Sequence, residues 1–141
     1  MPHGTPIKIR GYHLDLYGHV NNARYLEFLE EGRWNWVEAR GDLAGFMARS
    51  WGFSVVNINI NYRRPAAMGE VLEIRTALKK LGGRSGVVRQ EVALQGTDTL
   101  VADADVTFVV VSLLDGKSVA LEGELREVLG GMLEVPAASS E

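Results

Sequence analysis

The chain contains no cysteine. Disulfide frameworks, zinc–thiolate centres and cysteine nucleophiles are thereby excluded. Proline is scarce, with 4 in 141 residues. No uninterrupted apolar run approaches the roughly 18 residues that a membrane-crossing helix needs. The opening residues, MPHGTPIKIRGY, lack the basic-then-apolar layout of a signal peptide. Positive charge is not in excess: 15 Lys and Arg against 18 Asp and Glu give a net charge of −3. That balance fits poorly with the broad basic face that nucleic-acid binding requires. These absences lead to the expectation of a cytoplasmic protein with no membrane insertion and no nucleic-acid partner. What is present is ordinary for a globular chain. The length fits one domain, residues 1–141 with a core at about 7–130, and 46% hydrophobic content suffices for a packed interior. No internal repeat or linker divides it.

One stretch organises the rest: residues 11–34, GYHLDLYGHVNNARYLEFLEEGRW. A short strand at 7–10 precedes it, and 11–18 reads as a loop. From Asn21 the period changes. Tyr25, Phe28, Leu29, Gly32 and Trp36 follow the spacing of one helical face. Asn21 is a good N-cap, with Val20 and Tyr25 at the staple positions, and Gly41 supplies the stop after Arg40. Gly32 in mid-helix costs about 1 kcal/mol against alanine, which points to close packing on a sheet. A second short helix is predicted over 43–51.

Strands are predicted at 53–62, 70–81, 86–94 and 100–113, separated by Gly-rich turns. In the first of these, Val56, Ile58, Ile60 and Tyr62 share one face and Asn57, Asn59 and Asn61 the other. Asparagine is a poor strand former, so the second face is expected to be solvated. A short helix at 121–129 and a mobile tail at 136–141 complete the chain. A strand, a long helix and a run of antiparallel strands imply an α+β layer with one helix-covered face. Its exposed edge or second face favours self-association.

The chemistry-bearing residues lie just before the long helix. A carboxylate such as Asp15 can attack a carbonyl carbon or take a proton from water. A nearby helix start favours its ionised form. The duller reading is a loop aspartate that accepts backbone hydrogen bonds. The amides around Asn22 and Ala23 lack intrahelical partners and suit a developing oxyanion, although capping by Asn21 also explains them. His19 either meets the substrate, orients the carboxylate or fixes the loop, and the residues alone leave these open. His13, Asp15 and His19 match no metal-ligand spacing, so no metal is expected. Tyr25 belongs to the packed stripe. Glu30 is expected to pair with Arg33 or Arg63. Arg63, Arg64, Lys79, Lys80 and Arg84 suit phosphates, or simply cap exposed turns. Phe46 and Met47 add apolar surface near the helix.

The run Asp15-x-x-Gly18-His19-Val20-Asn21-Asn22-x-x-Tyr25, with Glu30 and Arg33 following, resembles the hotdog-fold acyl-CoA thioesterases of the 4-hydroxybenzoyl-CoA thioesterase type. The likeness continues through VVNININYRRPA, LKKLGGRSG, ADADVTFVVV and ALEGELRE, where the bacterial long-chain branch is the nearest match. It implies a long central helix wrapped by a curved antiparallel sheet. It also implies hydrolysis of a long-chain fatty acyl-CoA to the acid and coenzyme A, with Asp15 as base or nucleophile. Short-chain, aromatic or carrier-bound thioesters, or acyl-CoA binding without turnover, are the alternatives. By the same resemblance Asn22, Ala23, His19 and Tyr25 surround the reaction. Arg63, Lys79, Lys80, Arg84 and Ser85 meet coenzyme A, and Phe46 and Met47 line an acyl tunnel. Coenzyme A is part of the substrate, so no cofactor is expected. The assembly implied is a homodimer or homotetramer with sites between subunits.

Overall fold

A computed structural model describes residues 2–133, and the tail expected at 136–141 lies outside them. The elements are β1 (His3–Lys8), α1 (Arg24–Arg40), α2 (Leu43–Ala48), β2 (Trp51–Tyr62), β3 (Val71–Leu81), β4 (Ser85–Leu94), β5 (Leu100–Ser112), β6 (Ser118–Val119) and α3 (Gly123–Gly130). A single 3-10 turn, Gly11–His13, stands between β1 and α1. The strands form one antiparallel sheet in the order β1-β3-β4-β5-β2, with β6 on β5. The helix-period stripe of α1 is buried as expected: Tyr25, Phe28, Leu29, Gly32 and Trp36 all face the sheet, joined by Val37. Ala102, Ala104, Val106, Phe108 and Val110 of β5 supply the opposing surface. The result is the hotdog arrangement, a long helix wrapped by the sheet.

Several boundaries differ from the sequence pattern. The first strand runs earlier than 7–10, because His3 to Lys8 pair along β3 from Thr76 to Val71. The second helix ends at Ala48, and Trp51 already belongs to β2, opposite Ser112. Ser50 makes the change of direction, at φ 57°. β2 carries a bulge between Val55 and Asn57. A bulge inserts one residue and reverses the alternation beyond it. Val56 therefore leaves the inward face assigned by simple alternation and is exposed. Phe53 and Val55 turn toward the same cavity wall instead. Asn57, Asn59 and Asn61 are exposed, as the solvated-face reading requires.

The helix is fixed in depth by a buried amide. Gln90 of β4 is fully buried, and its Nε2 donates to the Leu29 carbonyl at 2.9 Å and to Thr76 Oγ1 at 3.0 Å. Its Oε1 accepts from Arg33 Nη1 at 3.0 Å. Such an approach demands a missing side chain. A Cβ on Gly32 would stand 2.6 Å from Ile74 Cγ2 and 3.1 Å from Gln90 Nε2. Overpacking of this kind costs about 1–3 kcal/mol and outweighs the helix-propensity gain of about 1 kcal/mol. Gly32→Ala is expected to lower the melting temperature by a few degrees in thermal denaturation followed by circular dichroism; a rise would contradict this docking.

Candidate active site

The loop before α1 is closed by its own backbone. Leu14 and Val20 bridge, Asp15 N–H donates to the His19 carbonyl at 2.8 Å, and Gly18 N–H donates to the Asp15 carbonyl at 3.1 Å. Gly18 sits at φ 77°, a left-handed conformation that glycine adopts freely. The Asp15 carboxylate folds over this turn. Its Oδ1 accepts from Tyr17 N–H at 2.9 Å and from His19 N–H at 3.3 Å. The loop-aspartate reading is thus true of one oxygen. Oδ2 has no hydrogen-bond partner among the described residues. The next residues tie the loop down: Val20 N–H donates to Ala66, and Asn21 N–H to His13, both at 2.9 Å.

The helix begins later than the N-cap reading of Asn21 places it. Ala23 occupies the cap position, and Asn21 lies in the preceding turn. The Asn21 side chain still serves the expected purpose, since its Oδ1 accepts from Ala23 N–H at 2.9 Å. Arg24 N–H is taken by the Asn21 carbonyl at 2.9 Å. Among the described residues this leaves Asn22 N–H as the unpartnered amide at the helix start. The expectation for Ala23 is therefore modified: its N–H is already donating to a neighbour.

Asp15, His19, Asn22 and Tyr25 border one cavity of about 290 Å³ together with Val20, Tyr62, Arg63, Arg64 and Pro65. Tyr25 contributes mainly packing. Burial pushes its phenol up to about 12, partly offset by a hydrogen bond with the Ala66 backbone, so it stays neutral. Its ring meets Phe28 and Tyr62 edge-on at 5.8 Å and 5.5 Å. Arg63 reaches the cavity wall but is engaged by Asp103, with Nε donating to Oδ2 at 2.8 Å. That bond holds the Asp103 carboxyl below its ordinary range. Of the two partners expected for Glu30, Arg63 is taken by Asp103, while Arg33 feels the Glu30 charge. Glu30 accepts instead from Trp34 Nε1 at 3.3 Å.

The remaining sequence candidates lie elsewhere. Lys79, Lys80, Arg84 and Ser85 cluster at the β3–β4 hairpin, outside this cavity. Lys79 faces Asp105 at 3.4 Å, and Arg84 donates to Ser118 Oγ at 3.2 Å. Phe46 and Met47 line a second cavity of about 350 Å³, between α1, α2, β2 and β5. Its wall is largely apolar, with Phe46 stacked on Phe53 at 5.0 Å and Phe53 edge-on to Phe108 at 5.3 Å. The two cavities share no residue.

Sequence reasoning missed Tyr62 and Pro65 at the first cavity, and it named Arg64 only as a cation suited to phosphates or to capping a turn. Tyr62 Oη donates to the Asn22 carbonyl at 3.2 Å, across 40 residues of chain. Arg64 Nη2 donates to Glu70 Oε2 at 3.0 Å, while its Nη1 is buried without a partner among the described residues. No local pattern marks these contacts. The one available signal was the dense Tyr62-Arg63-Arg64-Pro65 run at the end of a strand.

The family model of the thioesterase-like superfamily matches residues 9–129. The chain is 52% identical over 130 residues to the long-chain acyl-CoA thioesterase FadM of Escherichia coli K12, covering 92% of this chain and 98% of that protein. It is 29% identical over 117 residues to the acyl-CoA thioester hydrolase YbgC of Escherichia coli, covering 82% of this chain and 87% of that protein. Among solved structures, the probable thioesterase YbaW of Escherichia coli superposes with a TM-score of 0.86 at 52% identity. That match covers 93% of this chain and 98% of the other.

His13 supports the loop from beneath. It is buried, its Nδ1 accepts from Arg10 N–H at 2.9 Å, and its ring meets Phe28 edge-on at 5.1 Å. Burial first, then Arg24, lowers its pKa from 6.5. A depressed histidine binds its proton more tightly when unfolded, so the neutral form stabilises the fold above 6.5. That contribution is lost as pH falls from 6.5 through the folded value. Thermal melts below and above this range are expected to show an acid-side loss of stability that shrinks in His13→Gln; an equal loss in both proteins would contradict it.

Proposed function

The chain belongs to the thioesterase-like superfamily and is a thioester hydrolase; from that premise we propose that it hydrolyses long-chain fatty acyl-CoA, with Asp15 as base or nucleophile. The observation that carries this reading is the meeting of the Asp15 carboxylate and the unpartnered Asn22 N–H on one cavity. The thioester carbonyl oxygen points toward that amide, which stabilises the charge developing on it. Asp15 Oδ2 either takes a proton from the attacking water or attacks the carbonyl carbon itself. In the second route water then cleaves the acyl-aspartate. Both routes break the carbon–sulfur bond, and the leaving thiolate of coenzyme A takes up a proton. The Tyr17 and His19 amides hold the Asp15 carboxylate in place, and Tyr62 steadies the Asn22 peptide through its carbonyl. His19 lines the cavity and orients the thioester.

The acyl chain occupies the second cavity, whose aromatic and aliphatic wall suits hydrocarbon. The nucleotide end of coenzyme A meets the β3–β4 hairpin, where Lys80 and Arg84 lie exposed. The assembly is a homodimer formed along β2, the sheet edge, where Val55, Val56 and Tyr62 are exposed in a single copy. Antiparallel pairing of two β2 edges sets the Trp51 end of one against the Tyr62 end of the other. The apolar cavity of one subunit then abuts the Asp15 cavity of its partner, which supports sites between subunits. Two such dimers make the tetramer. Among the described residues no helix is long and apolar enough to cross a membrane.

Asp15→Asn is expected to lower kcat for palmitoyl-CoA at least about 100-fold, the usual scale for losing a general base, with an unchanged circular dichroism spectrum. Full activity in that variant would overturn the mechanism. Pairing about the strand's midpoint also places Val56 in the dimer seam, opposite Asn57 of the second copy. Val56→Lys puts a charge without a partner into that seam in each subunit, so sedimentation should show monomers and activity should fall with them. A fully active monomer would refute the shared site.

A further inference from the structure

We propose that the apolar cavity contains a recognition point for oxygen, so that acyl chains bearing a hydroxyl along their length are preferred over plain ones. This rests on the acyl-CoA reading above. A pocket for hydrocarbon alone needs no hydrogen-bond donors, yet Arg33, Trp34, Trp36 and Trp51 all border this one, with Trp34 already donating to Glu30. Trp36 lines it and is only 4% exposed, and its indole Nε1–H is buried with no partner among the described residues. Arg33 lines it from one turn earlier on α1. Its hydrogen bond among the described residues engages only Nη1, with Gln90.

A buried donor without an acceptor is unfavourable, and a ligand oxygen relieves it. Burial also lowers the Arg33 pKa, a sign that its charge lacks full solvation. Glu30, also in the wall, carries a carboxylate, one oxygen of which already accepts from Trp34. A hydroxyl accepts from Trp36 or Arg33 and donates to Glu30, so it matches both signs. A chain-terminal carboxylate would face Glu30 as a like charge. The class selected is therefore hydroxylated acyl groups, with the hydroxyl placed along the chain rather than beside the thioester.

The test compares the full-length enzyme on palmitoyl-CoA with chains of equal length hydroxylated at mid-chain or at the terminal carbon. At least one hydroxylated substrate is expected to show a kcat/KM about tenfold higher, the scale of one good hydrogen bond. Trp36→Phe keeps the ring and removes the N–H, and it is expected to bring that ratio toward one. Equal treatment of all chains by the wild-type enzyme would overturn the proposal. So would a Trp36→Phe variant that retains the preference, since a purely structural role affects both substrates alike. Should Trp36→Phe fail to fold, wild-type tryptophan fluorescence titrated with free hydroxypalmitate and palmitate decides the matter. Tighter binding of the hydroxy acid supports the recognition point, and equal binding refutes it. That titration needs no turnover. Absence of hydrolysis would therefore count against the proposed function, separately from this inference.

Discussion

The geometry depends on how closely α1 can lie on the sheet, and one buried amide sets that distance. Gln90 spends both ends of its side chain on the helix and its own sheet: Nε2 on the Leu29 carbonyl and Thr76, Oε1 on Arg33. A fully buried amide must find partners, because leaving them unmade is costly. Only the missing Cβ of Gly32 allows the approach. Once the helix is held at its middle, its two ends are placed as well. The first turn comes to the Asp15 loop, and the last turns cover the apolar cavity.

At the first turn, the local chemistry is a competition for amide hydrogens. Asn21 takes the N–H of Ala23, its carbonyl takes that of Arg24, and Asn22 is left over. The loop meanwhile spends two further amides on one oxygen of Asp15. The outcome is a carboxylate stabilised on one side and an unpaired donor nearby. Neither helix propensity nor apolar burial explains that pairing, which fits the polarised carbonyl of the proposed reaction.

The β2 edge adds the second constraint. Its bulge at Val56 turns Phe53 and Val55 inward while keeping Ile58 and Ile60 against the core. Strict alternation would have put Phe53 and Val55 on the outer face and removed part of the apolar cavity wall. The ion pairs among Arg63, Asp103, Arg89 and Asp105 lie across neighbouring strands. They solvate the outer face and use Arg63 structurally, although it also borders the Asp15 cavity.

Periodicity and punctuation in the sequence were sufficient for the element types, the buried stripe of α1, the solvated asparagines of β2 and the α+β layer. These depend on spacing along the chain, which local sterics and burial translate directly into structure. The Asp15-to-Tyr25 run was legible as a loop feeding a helix for the same reason, and of the residues expected around the reaction Asp15, His19, Asn22 and Tyr25 border one cavity while Ala23 does not. What stayed hidden depends on distant contacts. The partner of Arg63, the reach of Tyr62 to Asn22 and the free nitrogen of Arg64 arise between residues far apart in sequence. The inward turn of Phe53 comes from a bulge that no composition signals. Sequence alone determined that a carboxylate precedes an amphipathic helix. Tertiary structure decided which amide remains unpaired beside it and where the apolar space lies, because hydrogen-bond competition and close packing are settled only when the sheet closes on the helix.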